Sequence, residues 1–564
     1  MFRPNSRALL VLGLALVLLS IAACAAPAAP TVAPTAVPAP TAIPTSAPAV
    51  AATSAPVPTA APASSASSSA AASSAPTNTN FSIAIGVDMD TFDPVQLTTT
   101  TVGNVLDYIA ETLTTIDRDG KLQPMLAKSW DVSADGLIYT LKLQDGVKFS
   151  DGQALTAAAV KANIERLMDP DVKVAQRAPF VTIKSVEAVD ATTLKITLKN
   201  TYPPLLQAFS TTTSAILSPA TIDKASPGYK NVTQPVGTGP YVYKEYAKGS
   251  QIVFAKNANY WGKKPYYDNV TFRIVPEAAT RESLLLAGQV DVIILPPTSD
   301  IPALQKNSAV KVAVAPSNRI VYIGLNNTVK PLDNPKVRQA LNYAVNKEEI
   351  LKTIMFGAGF ALDAPIAPSL FGYCKTGTYE YNPEKAKALL KEAGVTTPLK
   401  LSFISPTGRY VQDFQASQAI AGYLKDVGIE TELKTMDWPS YVATITKPQA
   451  ENTTNLHLLG WASQFLDASQ AMPIYRTDQI VPKGLATFFY SNSKVDSAII
   501  AADSEPDTAK RAQMYCDINK TVWEEAPIIF LWNQAFPIVY SAKVQNVSYK
   551  PIEKFDALYA QPAQ

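Results

Sequence analysis

The sequence predicts an α/β protein with more than one lobe, and three observations carry that prediction. At 564 residues the chain is too long for one ordinary hydrophobic core, because single cores stop growing at about 250–300 residues. From Pro398 to Ala462 the pattern runs strand, helix, strand, short helix, strand, an order that builds a parallel sheet through right-handed crossovers. Elsewhere apolar residues alternate with period two, at Leu137, Tyr139, Leu141 and Leu143 and again at Leu194, Ile196 and Leu198, as half-buried antiparallel hairpins require.

Composition excludes several functions. A formal net charge of +2, with no Lys/Arg run longer than a pair, leaves no electrostatic footprint for nucleic acid or an anionic membrane surface. Three cysteines and one histidine cannot build a multi-histidine or Cys-rich metal centre, so no metal and no cofactor is expected. Arg3 and Arg7 precede an apolar run from Ala8 to Leu19, the length of a secretory leader and short for a membrane span. It ends at Ile21-Ala22-Ala23-Cys24, which resembles a bacterial lipobox in which Cys24 is acylated and becomes the mature N-terminus. The Ala/Pro/Ser/Thr-rich stretch that follows to about Asn80 has too few large side chains to form a core and is expected to be a disordered tether.

Phe81 to Val87 then reads as a short apolar strand, and Val102, Val105, Leu106, Ile109 and Leu113 mark the face of a helix entered through Thr98 to Thr101. Within Pro124 to Met168, Asp145-Gly146 supplies a hairpin turn with Val147 and Phe149 on the return strand. Thr156 caps a helix with Val160, Ile164, Leu167 and Met168 on one face, and Asp169-Pro170 ends it. Val236 to Tyr241 (VGTGPY) is a tight turn, since no GxxxxGK[ST] follows and Pro240 has no N–H to offer a phosphate. The aromatics from Tyr260 to Tyr266 are either a structural anchor or a stacking platform for a sugar. Asn334-Pro335 and Asn382-Pro383 are cap and first-turn pairs for two helices, the second stopped by Gly394.

Open α/β sheets bind ligands beyond the carboxyl ends of their strands. In the parallel segment those ends are followed by Thr407-Gly408-Arg409, Asp437-Trp438 and Trp461 to Asp467, which should meet at one crevice. Arg409 either clamps a ligand carboxylate or phosphate or stands as an exposed arginine at a helix start. Trp438 and Trp461 either stack on a ligand or line the lobe. Catalysis has little to work with: a Ser-His-Asp or Cys-His site would need His457, which lies within the strand NLHLLGW, and no G-x-S-x-G elbow is present. Binding without turnover is expected, the alternative being a secreted, lipid-anchored hydrolase of peptides or glycosides that uses paired carboxylates.

The order SW, S-x-DG, YT-x-x-L, DGVKF, DG, LTA within Pro124 to Met168 resembles the signature of the family 5 extracytoplasmic solute-binding proteins. GTGPY at 237–241, NYWGKKPY at 259–266, VRQALNYA at 337–344 and YNPEKAKALL at 381–390 resemble further segments of that family, which serves ABC importers of peptides, nickel and related solutes. The resemblance implies a two-lobed periplasmic-binding-protein clamshell of type II with an extra subdomain in the first lobe. Its expected divisions are a lipoprotein signal peptide at 1–23, the tether at 24–80, first lobe at 81–120 and 232–327, extra subdomain at 121–231, second lobe at 328–525 and a return to the first lobe over 526–564. It implies a monomer, lipid-anchored on the outer face of the bacterial cytoplasmic membrane, that delivers its solute to two permease subunits and their ATPases.

In peptide-binding relatives the loop matching Thr98, Thr99 and Thr100 touches the ligand backbone; helix capping is the other reading of these residues. In the same relatives an Asp after G-W-x-x pairs with the ligand's α-amino group. Here the run GWASQFLD places Gln464 at that position, and a neutral amide cannot neutralise a buried ammonium. Asp467 matches the family's second acidic position and is the candidate substitute. The departure favours neutral or carboxylate-bearing solutes, saccharides and opines included. Cys374 and Cys516 both fall in the expected second lobe and can form a disulfide outside the cytoplasm.

Overall fold

The computed structural model describes residues 80–564 except residue 98. The leader, Cys24, the tether and Thr98 therefore lie outside the described residues, among which no helix is long and apolar enough to cross a membrane.

Two sheets organise the chain. The first has seven strands in the order Val310–Ala313, Ile538–Ser541, Val292–Ile294, Asn80–Ile85, Asn269–Ile274, Gln251–Lys256 and Tyr241–Ala247. Asn80–Ile85 is flanked in parallel by Asn269–Ile274 and Val292–Ile294. A strand in that place is buried on both faces: Phe81, Ile83 and Ile85 on one face enter one apolar cluster, and Ala84 on the other face enters a second. The helix expected across residues 102–113 is shorter than the apolar spacing suggests: it spans Thr100–Leu106. Its continuation is preempted because the carbonyls of Tyr108 and Ile109 accept from the backbone of Tyr241 and Gly239. That contact requires glycine, since a Cβ on Gly237 or Gly239 would stand 2.0 Å from the Ile109 oxygen or 2.7 Å from its carbonyl carbon.

A four-stranded antiparallel sheet stands beside the first lobe, ordered Ala127–Val132, Ile138–Leu143, Thr193–Leu198 and Ile183–Ala188. With the helix Ala157–Met168 it encloses a separate apolar cluster. Thr156 caps that helix by accepting from Ala159 N at 3.2 Å. The hairpin differs from the sequence reading. Ile138–Leu143 pairs with Ala127–Val132 on one side and Thr193–Leu198 on the other, so both its edges are taken and Val147 and Phe149 enter the core without joining the sheet. Arg166 fastens this helix to the first lobe, its guanidinium straddling the fully buried Asp93 with one contact of 2.9 Å.

The second sheet runs Gly359–Ala361, Ile528–Ala535, Pro316–Leu325, Leu456–Ala462, Leu399–Pro406, Ile429–Met436. Its last three strands are mutually parallel, as the alternation from Pro398 predicts. Asn334 and Asn382 cap the helices that follow them, accepting from Lys336 N at 3.0 Å and Lys385 N at 2.9 Å. The chain crosses between sheets earlier than residue 328 and returns later than residue 526: the connectors are Val314-Ala315 and Phe536-Pro537. Ile320 to Gly324 are already hydrogen-bonded on both sides within the second sheet. The breaks fall beside Pro316 and Pro537, residues that cannot donate to a ladder. A disulfide joins Cys374 to Cys516, the latter on the helix Thr508–Glu525.

Candidate functional site

The parallel strands of the second lobe end at Pro406, Met436 and Ala462. Two of those ends, with the start of the central strand Pro316–Leu325, form one wall of a cavity of about 300 Å³. Arg409, Trp461, Ala462, Ser463, Gln464, Asn318 and Arg319 line that wall. The opposite wall belongs to the first lobe and its subdomain: Thr99, Thr100 and Gly103 at the start of a helix, Thr211 to Thr213, Gln176, and the turn Ile552 to Lys554.

A carboxylate holds the Arg409 backbone, while aromatic rings hold its guanidinium. The Asp413 carboxylate accepts from the backbone N–H groups of Gly408, Arg409 and Tyr410 at 3.1, 2.8 and 3.0 Å, which pins the loop. Gly408 permits it with a φ of +74°. The guanidinium then lies 4.9 Å from the Trp438 ring and 5.1 Å from Tyr410, stacked and exposed. Among the described residues it makes no ion pair, so its N–H fork is available to an anion. Trp438 does not line the cavity; it is the platform under Arg409. Trp461 does line it, oriented by a 2.8 Å bond from Nε1 to the Gln470 carbonyl.

Gln464 is an exposed amide on the wall. Asp467 stands elsewhere. Its carboxylate is fully buried and bound by Arg511 at 2.7 and 2.6 Å, because Phe465 and Leu466 turn into two different apolar clusters and carry the chain away from the cleft. It cannot replace the acidic group missing at 464. Thr99 caps its helix through Val102 N at 3.3 Å and also lines the cavity; Thr100 lines the cavity beside it.

Several lining residues escape sequence reasoning. Arg319 and Glu553 form a two-pronged ion pair, both contacts 2.7 Å, between the second lobe and the C-terminal segment. Burial alone would lower the Arg319 guanidinium, but Glu553 beside it holds it above its ordinary value. Lys554 binds Asp107 at 2.7 Å and also reaches Thr212. Thr213 Oγ1 and Ser463 Oγ are buried in the walls and have no partner among the described residues. The hydroxyl-rich run STTTS at 210–214 was a compositional signal for its part of the wall; Arg319, Glu553 and Lys554 belong to no motif.

Other candidates are structural. The Tyr260 hydroxyl, Trp261 Nε1 and Thr238 hydroxyl all donate to Glu111 at 2.7 Å, so these aromatics are an anchor. Burial still pushes the Glu111 carboxyl up, against the lowering effect of those bonds. His457 is buried and 2.8 Å from the Thr487 hydroxyl, and desolvation lowers its pKa to about 3. Buried and packed against Gly324, this imidazole is a much weaker proton acceptor than an ordinary histidine. No group of three or more metal-ligating side chains occurs among the described residues.

The pattern described as bacterial extracellular solute-binding proteins, family 5 middle, matches residues 121–482. The chain is 34% identical over 476 residues to the glutathione-binding protein GsiB of Pectobacterium atrosepticum, covering 83% of this chain and 91% of that one. HbpA2 from Haemophilus parasuis shares the fold with a TM-score of 0.77 at 26% identity, over 86% of this chain and all (100%) of the other. The periplasmic binding protein DppA from Helicobacter pylori, solved with the peptide STSA, aligns with a TM-score of 0.71 at 25% identity over 86% and 98% of the two chains.

Proposed function

The chain belongs to the bacterial extracellular solute-binding proteins of family 5, and from that premise we propose that it captures a small, carboxylate-bearing, peptide-like solute between its lobes for an ABC importer. The observation that carries the choice of solute is Arg409, an exposed guanidinium on an aromatic platform in the cavity wall with no ion pair among the described residues. Trp461 supplies an apolar face, and Thr99, Thr100 and Gln464 supply neutral hydrogen bonds. A volume of about 300 Å³ lies at the low end of the roughly 300–1,000 Å³ typical of ligand pockets, which favours a dipeptide or tripeptide over a long one. The relative named for glutathione makes that tripeptide the first probe.

Binding without turnover is the reading throughout, and the hydrolase alternative has no support in the site. The lobes close about their two connectors, a hinge motion that the solute favours by touching both walls at once. The closed monomer then docks on two permease subunits served by their ATPases. Acylated Cys24 and the tether hold it at the outer face of the cytoplasmic membrane, supported by the lipobox-like Ile21-Ala22-Ala23-Cys24. Isothermal titration of the purified protein with glutathione, trialanine, sucrose and octopine tests the solute class. Saturable binding of one or both peptides is expected; binding of sucrose alone, or hydrolysis of either peptide, contradicts the reading.

A further inference from the structure

We propose that Phe465 and Ile116 form an apolar latch that holds the lobes together without touching the solute, and so scales affinity for every solute by a common factor. This rests on the reading that the solute is captured between lobes that open and close. Phe465 is 2% exposed and lies in the apolar cluster of the first lobe's subdomain, although its stretch of chain belongs to the second lobe. Among the described residues, every other buried member of that cluster lies between Val95 and Tyr229. Ile116 makes the reciprocal move. It ends the short strand Thr114–Ile116 of the first lobe and is 4% exposed within the second lobe's cluster.

The backbone around Phe465 is fastened to the second lobe on both sides. Before it, the Ser463 carbonyl accepts from Asn318 Nδ2. After it, the Leu466 carbonyl accepts from Phe371 N at 3.1 Å, Ala468 N donates to the Phe371 carbonyl at 3.0 Å, and Arg511 holds the Asp467 carboxylate. The ring is therefore carried by one lobe and buried by the other. From the first lobe, Ile116 pairs with Leu122 in a hairpin whose turn reaches the same segment: a Cβ on Gly120 would stand 2.7 Å from Leu466 Cδ1. Neither Phe465 nor Ile116 lines the cavity, whereas Ser463 and Gln464, directly before Phe465, do. Parting the lobes draws both side chains out of their clusters into water, at a cost proportional to the apolar area exposed. That cost is the same whatever solute is bound, so weakening the latch raises the open population for all solutes alike.

The test combines small-angle X-ray scattering of the ligand-free full chain with isothermal titration of glutathione and trialanine, on wild type, Phe465→Ala, Phe465→Leu and Ile116→Val. Phe465→Ala is expected to enlarge the ligand-free radius of gyration and to weaken both peptides by one shared factor of about 10 to 100, the range for withdrawing one large apolar side chain from its core. Phe465→Leu should fall between, and Ile116→Val should cost both peptides about fourfold for the one methylene removed. These two milder variants carry the same test if Phe465→Ala does not fold. A lower melting temperature with unchanged affinities and radius overturns the proposal, because the ring then only fills a core. A loss confined to one peptide also overturns it, since the side chain would then act on that solute. If wild type binds neither peptide, the peptide reading fails on its own and the ligand-free radius still decides the latch: an increase in Phe465→Ala upholds it, and an unchanged radius ends it.

Discussion

Charged side chains that look alike in the sequence have opposite work in the structure. Arg409 is exposed and stacked with no ion pair among the described residues, whereas Asp467 is fully buried with both oxygens bound by Arg511. Arg409→Ala should weaken binding of a carboxylate-bearing peptide about 10- to 100-fold, by loss of a charge-assisted bond, at unchanged melting temperature. Asp467→Asn should do the reverse: breaking a buried pair costs about 3–5 kcal/mol of stability, read by urea denaturation. His457 gives a pH prediction with a single probe, since it is the one histidine of the chain. Its folded pKa is depressed from 6.5 to about 3 by burial. The unfolded state therefore takes up the proton first, so this residue's contribution to stability is fully present above 6.5 and is lost as pH falls toward 3. Imidazole proton resonances should accordingly show no titration from about pH 5 to 8 in the folded protein.

The parallel segment from Pro398 carried most of what was legible about the site. Its alternation fixes strand direction, strand direction fixes which ends face the cleft, and Arg409, Trp461 and Gln464 follow from those ends. Helix caps at Thr156, Asn334 and Asn382 were equally readable because capping is local chemistry. What was not readable depends on contacts remote in sequence. Arg319 and Glu553 meet across 234 residues, and no local pattern announces such a pair. Val147 and Phe149 carried the right alternation for a return strand, but the edge they would have joined is occupied by Ala127–Val132 and Thr193–Leu198. The turn that removes Asp467 from the wall is likewise set by where Phe465 and Leu466 find their cores. Cys374 and Cys516 are joined across 142 residues, so denatured protein without reductant should expose no reactive thiol from either, and reduction should lower the melting temperature because closing so long a loop restricts the unfolded chain.

At the scale of the molecule, two sheets share two short connectors, and the cavity takes residues from both sides of that division. On the proposed function, a ligand that touches both walls stabilises a closed state by whatever contacts an open state cannot offer. The first lobe's subdomain, which carries the signature that reveals the family, contributes its own core, the buried Asp93–Arg166 fastening, and Gln176 and Thr211 to Thr213 in the cavity wall. Hydrogen–deuterium exchange of the full chain with and without saturating glutathione or trialanine locates the solute most directly. Protection should rise together around residues 99–103, 211–213, 407–409, 460–464 and 551–554. Protection confined to one lobe, or centred on the separate pocket around Lys347 and Tyr379, would contradict capture between the lobes.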